Sequence, residues 1–130
     1  MHAQGEFEVT RIPQEELEIG AGASVGHSRF EKRFHGPLDA RSVVHMLAVM
    51  TDTPGSGAYV AIERIEGTLD GRGGSFFAQH SGVMDRGAPS LALTVVPDSG
   101  TGDLAGLQGR MTIEIRDGKH YYGFDYDFRD

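Results

Sequence analysis

Cysteine is absent from the 130 residues, so the chain has no disulfide framework, no thiolate nucleophile and no zinc knot. That fits a reducing compartment, and the cytoplasm is the expected location. Long apolar runs are missing too. The longest, Val43 to Met50, is interrupted by His45 and is far too short to cross a bilayer, so no membrane partner is expected. Met1 to Thr10 alternates polar and apolar residues instead of showing the basic-then-apolar layout of a secretory signal. Positive charge is scarce: 12 Lys and Arg face 19 Asp and Glu for a net charge of −7, and the basic residues are scattered. Nothing tracks a phosphate backbone, which argues against nucleic acid.

The signatures of several catalytic classes are absent as well. Six histidines are present, but there is no His-Glu-x-x-His and no close His pair in phase on one strand, so neither a metal site nor a cofactor is expected. Asp125 and Asp127 share a face with even spacing, on the polar side where solvated charge explains them. Ser81 follows His80 directly, yet adjacent strand residues point to opposite faces and no glycine-serine-glycine elbow surrounds the serine.

What the chain does have is period-two alternation and 19 glycines, about twice the usual share. Its length suits one domain, taken here as residues 1–130. Ala3, Gly5, Phe7 and Val9 alternate against Gln4, Glu6, Glu8 and Thr10 in a first strand that Pro13 ends. Gln14 to Glu18, followed by Gly20 and Gly22, reads as a loop with room for a short helical turn. In the second strand, Ser24 to His35, Phe30 and Phe34 choose the inner face and carry Lys32 with them. Val43 to Met50 fits a helix turn or a buried strand, and the β neighbourhood favours a strand.

Tyr59, Ala61, Glu63, Ile65, Gly67 and Leu69 form the apolar face of the fourth strand, with Glu63 as the odd member. The glycine-rich loop from Asp70 to Gly74 leads into a fifth strand, Ser75 to Gly82, whose register stays open. A five-residue loop turns Phe77, Gln79 and Ser81 inward, and a four-residue loop turns Phe76, Ala78 and His80 inward. Ser90 to Val96 is the sixth strand. Asp117-Gly118 is a strong type I′ turn signal that places Ile115 opposite His120, Ile113 opposite Tyr122 and Met111 opposite Phe124. The fold class is therefore all-β. The expected architecture is an antiparallel up-and-down meander of about eight strands, closed into a barrel that removes both edges, with a sandwich as the alternative.

Three segments carry a resemblance: Gly67 to Gly82, Leu93 to Pro97, and Ser99 to Leu107 with its Gly100-Thr101-Gly102 corner. The sequence resembles a bacterial domain family of unknown function across most of its length. That resemblance implies the eight-stranded closed meander of the allene oxide cyclase-like barrels, and plant dirigent proteins share a similar glycine-threonine-glycine corner. It supplies no activity and no catalytic residue. In physical terms the corner is a turn whose Leu104 and Leu107 plug one barrel end.

Lys32 and Glu63 each interrupt an apolar face with a charge, and burial alone would push both toward neutrality, so pairing is the natural resolution. The pair reads either as an internal salt bridge or as a proton donor and acceptor in an apolar pocket. The second reading suits enolisation, isomerisation or cyclisation of a carbonyl compound. Histidine is the side chain suited to acid–base work at physiological pH, and His80 joins Lys32 and Glu63 as the catalytic candidates. Phe30, Phe34, Gln79, Tyr122, Phe124 and Tyr126 are the expected lining of a substrate pocket, the tyrosines as hydroxyl donors or simply as core rings. The expected function is an interior site for a small, largely apolar molecule, with isomerase or cyclase chemistry suggested by fold analogy alone. A non-catalytic carrier or sensor, or a barrel filled by its own side chains, are the alternatives. Outward Val60, Ile62 and Val96 suggest a homo-oligomer.

Overall fold

A computed structural model describes residues 1–129. Eight long antiparallel strands form one closed sheet: β1 (His2–Pro13), β3 (Ser24–Phe34), β4 (Leu38–Met50), β5 (Gly57–Leu69), β6 (Arg72–Asp85), β7 (Ala88–Val95), β8 (Leu107–Arg116) and β9 (Lys119–Phe128). A two-residue strand, β2 (Leu17–Glu18), pairs with the start of β3. Each long strand from β3 to β9 lies beside its neighbours in sequence. The barrel closes because β1 pairs with β9 through its first half and with β3 through its second, Phe7 facing both His120 and Phe34. The expected meander is thus observed, with the short β2 inside the stretch after Pro13 that the sequence reads as a loop. No helix of the described residues is long and apolar enough to cross a membrane, a statement that does not bear on membrane β-barrels.

The β5–β6 turn decides which faces point inward. Asp70 and Gly71 have φ of 49° and 82°, so they are the two centre residues of a tight turn that brings Leu69 opposite Arg72. Two positive φ values match the right-handed strand twist of a two-residue hairpin. Gly73 and Gly74 therefore belong to the strand rather than to a loop. The even loop length sends Phe76, Ala78 and His80 inward and leaves Gln79 and Phe77 exposed. Strand β4 likewise begins at Leu38, five residues before the apolar run from Val43.

The two ends of the barrel differ. At the lower end, Phe34, Leu38, Leu69, Phe76, Leu104, Leu107, Phe124 and Tyr126 pack into a closed core. Leu104 sits on a single 3-10 turn, Gly102–Leu104, held because Thr101 Oγ1 accepts the Ser75 N–H at 3.0 Å. The upper end is less sealed. There β7 and β8 share only the Thr94–Arg110 pair among the described residues, and Leu91, which faces inward above it, is 41% exposed. Ile115, at the tip of the β8–β9 hairpin, is exposed despite lying on the apolar face.

Candidate functional site

One side chain from each of four consecutive strands meets inside the wall: Lys32 on β3, Ser42 on β4, Glu63 on β5 and His80 on β6. Their placement follows from the pairing register. Lys32 faces Ser42, Val44 faces Glu63, and Ala61 faces His80, so the four heads lie on a diagonal around the barrel. Glu63 is the hub and is fully buried. Its Oε1 accepts from Lys32 Nζ at 3.3 Å and from His80 Nε2 at 2.7 Å, while Oε2 accepts from Ser42 Oγ at 2.5 Å. The Lys32 ammonium also lies 5.1 Å from the ring centre of Phe7 and 5.7 Å from that of Phe34. Aromatic faces partly compensate its lost hydration.

Burial pushes the Glu63 carboxyl up, but the His80 hydrogen bond and the Lys32 charge, with Ser42, outweigh it and hold the group below the ordinary carboxylate value. Glu63 is therefore ionised at neutral pH. An ionised carboxylate can only accept, so the His80 nitrogen facing it must carry a proton. In neutral His80 the lone pair then resides on Nδ1. That atom makes no hydrogen bond within the protein, whereas no sealed side-chain nitrogen or oxygen among the described residues lacks a partner. Nδ1 is accordingly not fully sealed from solvent.

The sequence-based candidates separate on this geometry. Lys32, Glu63 and His80 come together, and Phe30 lies half-buried above them on the same face of β3. Gln79 does not join them, because the two-residue turn sends it outward. Phe34, Phe124, Tyr122 and Tyr126 face inward as expected but sit in the packed lower half rather than around a pocket. Phe124 stacks on Phe76 with ring centres 5.9 Å apart. The Tyr122 hydroxyl donates to the His35 carbonyl at 2.9 Å and accepts the Leu38 N–H at 3.1 Å, which secures the β3–β4 turn. The Tyr126 hydroxyl donates to Asp70 at the lower rim. Ser42 escapes the sequence reading because the apolar run begins at Val43, five residues after the true start of β4. It is in phase with Val44 and Met46, a signal visible once the strand extends back to Leu38. The main surface depressions of the described residues include neither Glu63 nor His80 in their linings.

Residues 3–126 match the profile of a protein family of unknown function, DUF3224. The chain belongs to the DUF3224 family. A crystal structure of a DUF3224 protein of unknown function from Shewanella oneidensis MR-1 is 43% identical, covers 100% of this chain and 98% of its own, and superposes with a TM-score of 0.93. No curated protein matches the chain. For this DUF3224 barrel, function must therefore be argued from the four-strand cluster itself.

Proposed function

We propose that the upper half of the barrel is a site for a small, largely apolar carbonyl compound, with His80 as its acid–base group. The observation that carries this reading is the orientation of His80: Nε2 is committed to Glu63 and Nδ1 is left without a protein partner. A carboxylate that fixes the imidazole tautomer also stabilises the imidazolium formed when the ring takes a proton. Lys32 keeps Glu63 anionic, and Ser42 holds its second oxygen. The weakly paired β7–β8 seam beside Leu91 offers a route inward.

The chemistry suited to this arrangement is enolisation. His80 Nδ1 removes a proton from the carbon next to the carbonyl, the C–H electron pair becomes the new C=C bond, and the carbonyl π pair moves onto oxygen. When the imidazolium proton has swapped with solvent, its return to the same carbon completes an exchange, and in an unsaturated ketone delivery to the far carbon of the dienolate isomerises the compound. The test is proton exchange on cyclohexanone in deuterated water, followed by NMR. The protein should accelerate exchange above buffer, and His80→Gln should abolish the acceleration. No acceleration, or equal rates for the two proteins, would refute the proposal.

A second reading is favoured by the complete pairing of sealed polar atoms: the cluster is a structural core element. In that case cyclohexanone exchanges at the buffer rate and leaves the His80 resonances unmoved.

A further inference from the structure

Tyr59 faces inward on β5 and stands opposite Gly82 on β6, one step above His80 on the same inner face. Its ring lies over Gly82 so closely that a Cβ at that position would collide with the ring edge. Gly82 φ is unexceptional, so close approach rather than turn geometry is what requires glycine here. The Tyr59 hydroxyl makes no hydrogen bond within the protein among the described residues, in contrast to Tyr122 and Tyr126, whose hydroxyls are both committed. Burial pushes the Tyr59 phenol above its ordinary value, so it is a protonated donor at neutral pH.

Two polar atoms without a protein partner thus stand one step apart on the inner face of adjacent strands: a donor on Tyr59 and an acceptor on His80. They are complementary to the two ends of one functional group, a carbonyl oxygen and the acidic C–H beside it. Building on the role of His80 argued above, we propose that Tyr59 is the carbonyl-binding residue, donating its hydroxyl to the substrate oxygen as negative charge develops there. The proton stays on the phenol and the hydrogen bond shortens as the carbonyl π pair moves onto oxygen, so the donor stabilises the transition state more than the ketone. The ligand class narrows accordingly. It has one carbonyl flanked by a C–H bond, and its remaining surface is apolar, to match Met46, Ala61 and Leu93 on the neighbouring inner positions.

The experiment compares cyclohexanone with methylenecyclohexane, which keeps the shape and lacks the oxygen, in NMR titrations of the wild type, Tyr59→Phe and Gly82→Ala. The wild type should bind the ketone more tightly than the hydrocarbon, with both the His80 imidazole and the Tyr59 ring resonances moving. Tyr59→Phe keeps the ring and removes a hydroxyl that bonds nothing internally, so it should fold as the wild type does. It should weaken ketone binding by about tenfold, the worth of one hydrogen bond, and leave the hydrocarbon unchanged. Gly82→Ala keeps the phenol but displaces the ring, and should reduce the ketone preference in the same direction. If Tyr59→Phe retains the ketone preference while His80 still responds, the Tyr59 assignment fails and the role of His80 stands. If neither probe moves His80 in the wild type, both fail together.

Discussion

Replacing Glu63 by Gln tests the physical basis of the cluster, because it removes the negative hub and leaves the positive partner in place. Lys32 is only 7% exposed along its side chain, and Glu63 is not exposed at all. Breaking a buried ion pair from one side costs about 3–5 kcal/mol, since the remaining charge keeps its desolvation without its attraction. In a protein of this size that corresponds to a fall in Tm of roughly 10–20 °C. Lys32→Met is the asymmetric control. It leaves an anion with two remaining donors, His80 and Ser42, and the imidazole can supply the lost positive charge by taking a proton. The loss in Lys32→Met should therefore be smaller than the loss in Glu63→Gln. The double variant removes both charges and should recover much of the Glu63→Gln loss.

Urea denaturation of the wild type, both single variants and the double variant gives the coupling directly. Strictly additive losses would refute the reasoning, as would a Lys32→Met loss equal to or larger than that of Glu63→Gln. The wild type carries its own pH signature. Its Glu63 carboxyl lies below the ordinary value in the folded state, so its contribution is present above the unfolded-state pKa and is lost as pH falls through the folded one.

At the lower rim, the Tyr126 hydroxyl beside Asp70 is pushed up to about 12, by burial first and by the carboxylate second. The neutral phenol's contribution is present below the ordinary value of 10 and is lost as pH rises through about 12, and ultraviolet titration should find that Asp70→Asn lowers this ionisation. On the outside, Val60 and Ile62 are 55% and 50% exposed, with Leu47 and Val83 on the flanking strands, so this face is the expected seam for self-association. Light scattering should show an assembly that Val60→Glu with Ile62→Lys reduces to monomer, and a wild-type monomer at high concentration would refute it.

Alternation shows which face a side chain occupies, and that is why the inward positions of Lys32, Glu63, Tyr122 and Tyr126 were legible from sequence. The Asp117-Gly118 turn was equally plain: the pairs Ile115–His120, Ile113–Tyr122 and Met111–Phe124 all occur. Height along the barrel is another matter. It depends on the stagger between strands, a property of closure rather than of any one segment. Tyr122 and Tyr126 therefore looked like neighbours of Lys32 although they lie in the packed lower end. The choice between Gln79 and His80 turned on where a strand begins among consecutive glycines. Gly73 and Gly74 have the composition of a loop, yet they extend β6 down to a two-residue turn. Ser42 was hidden by the polar residues Asp39 and Arg41, which are simply the outward half of β4.

The role assigned to His80 rests on one protonation pattern, which nitrogen-15 spectroscopy of the labelled imidazole reads directly. The proton is expected on Nε2, toward Glu63, with an unprotonated Nδ1 whose resonance shifts when cyclohexanone is added. A proton on Nδ1 in the neutral ring, or an Nδ1 resonance indifferent to the ketone, would contradict the proposed site.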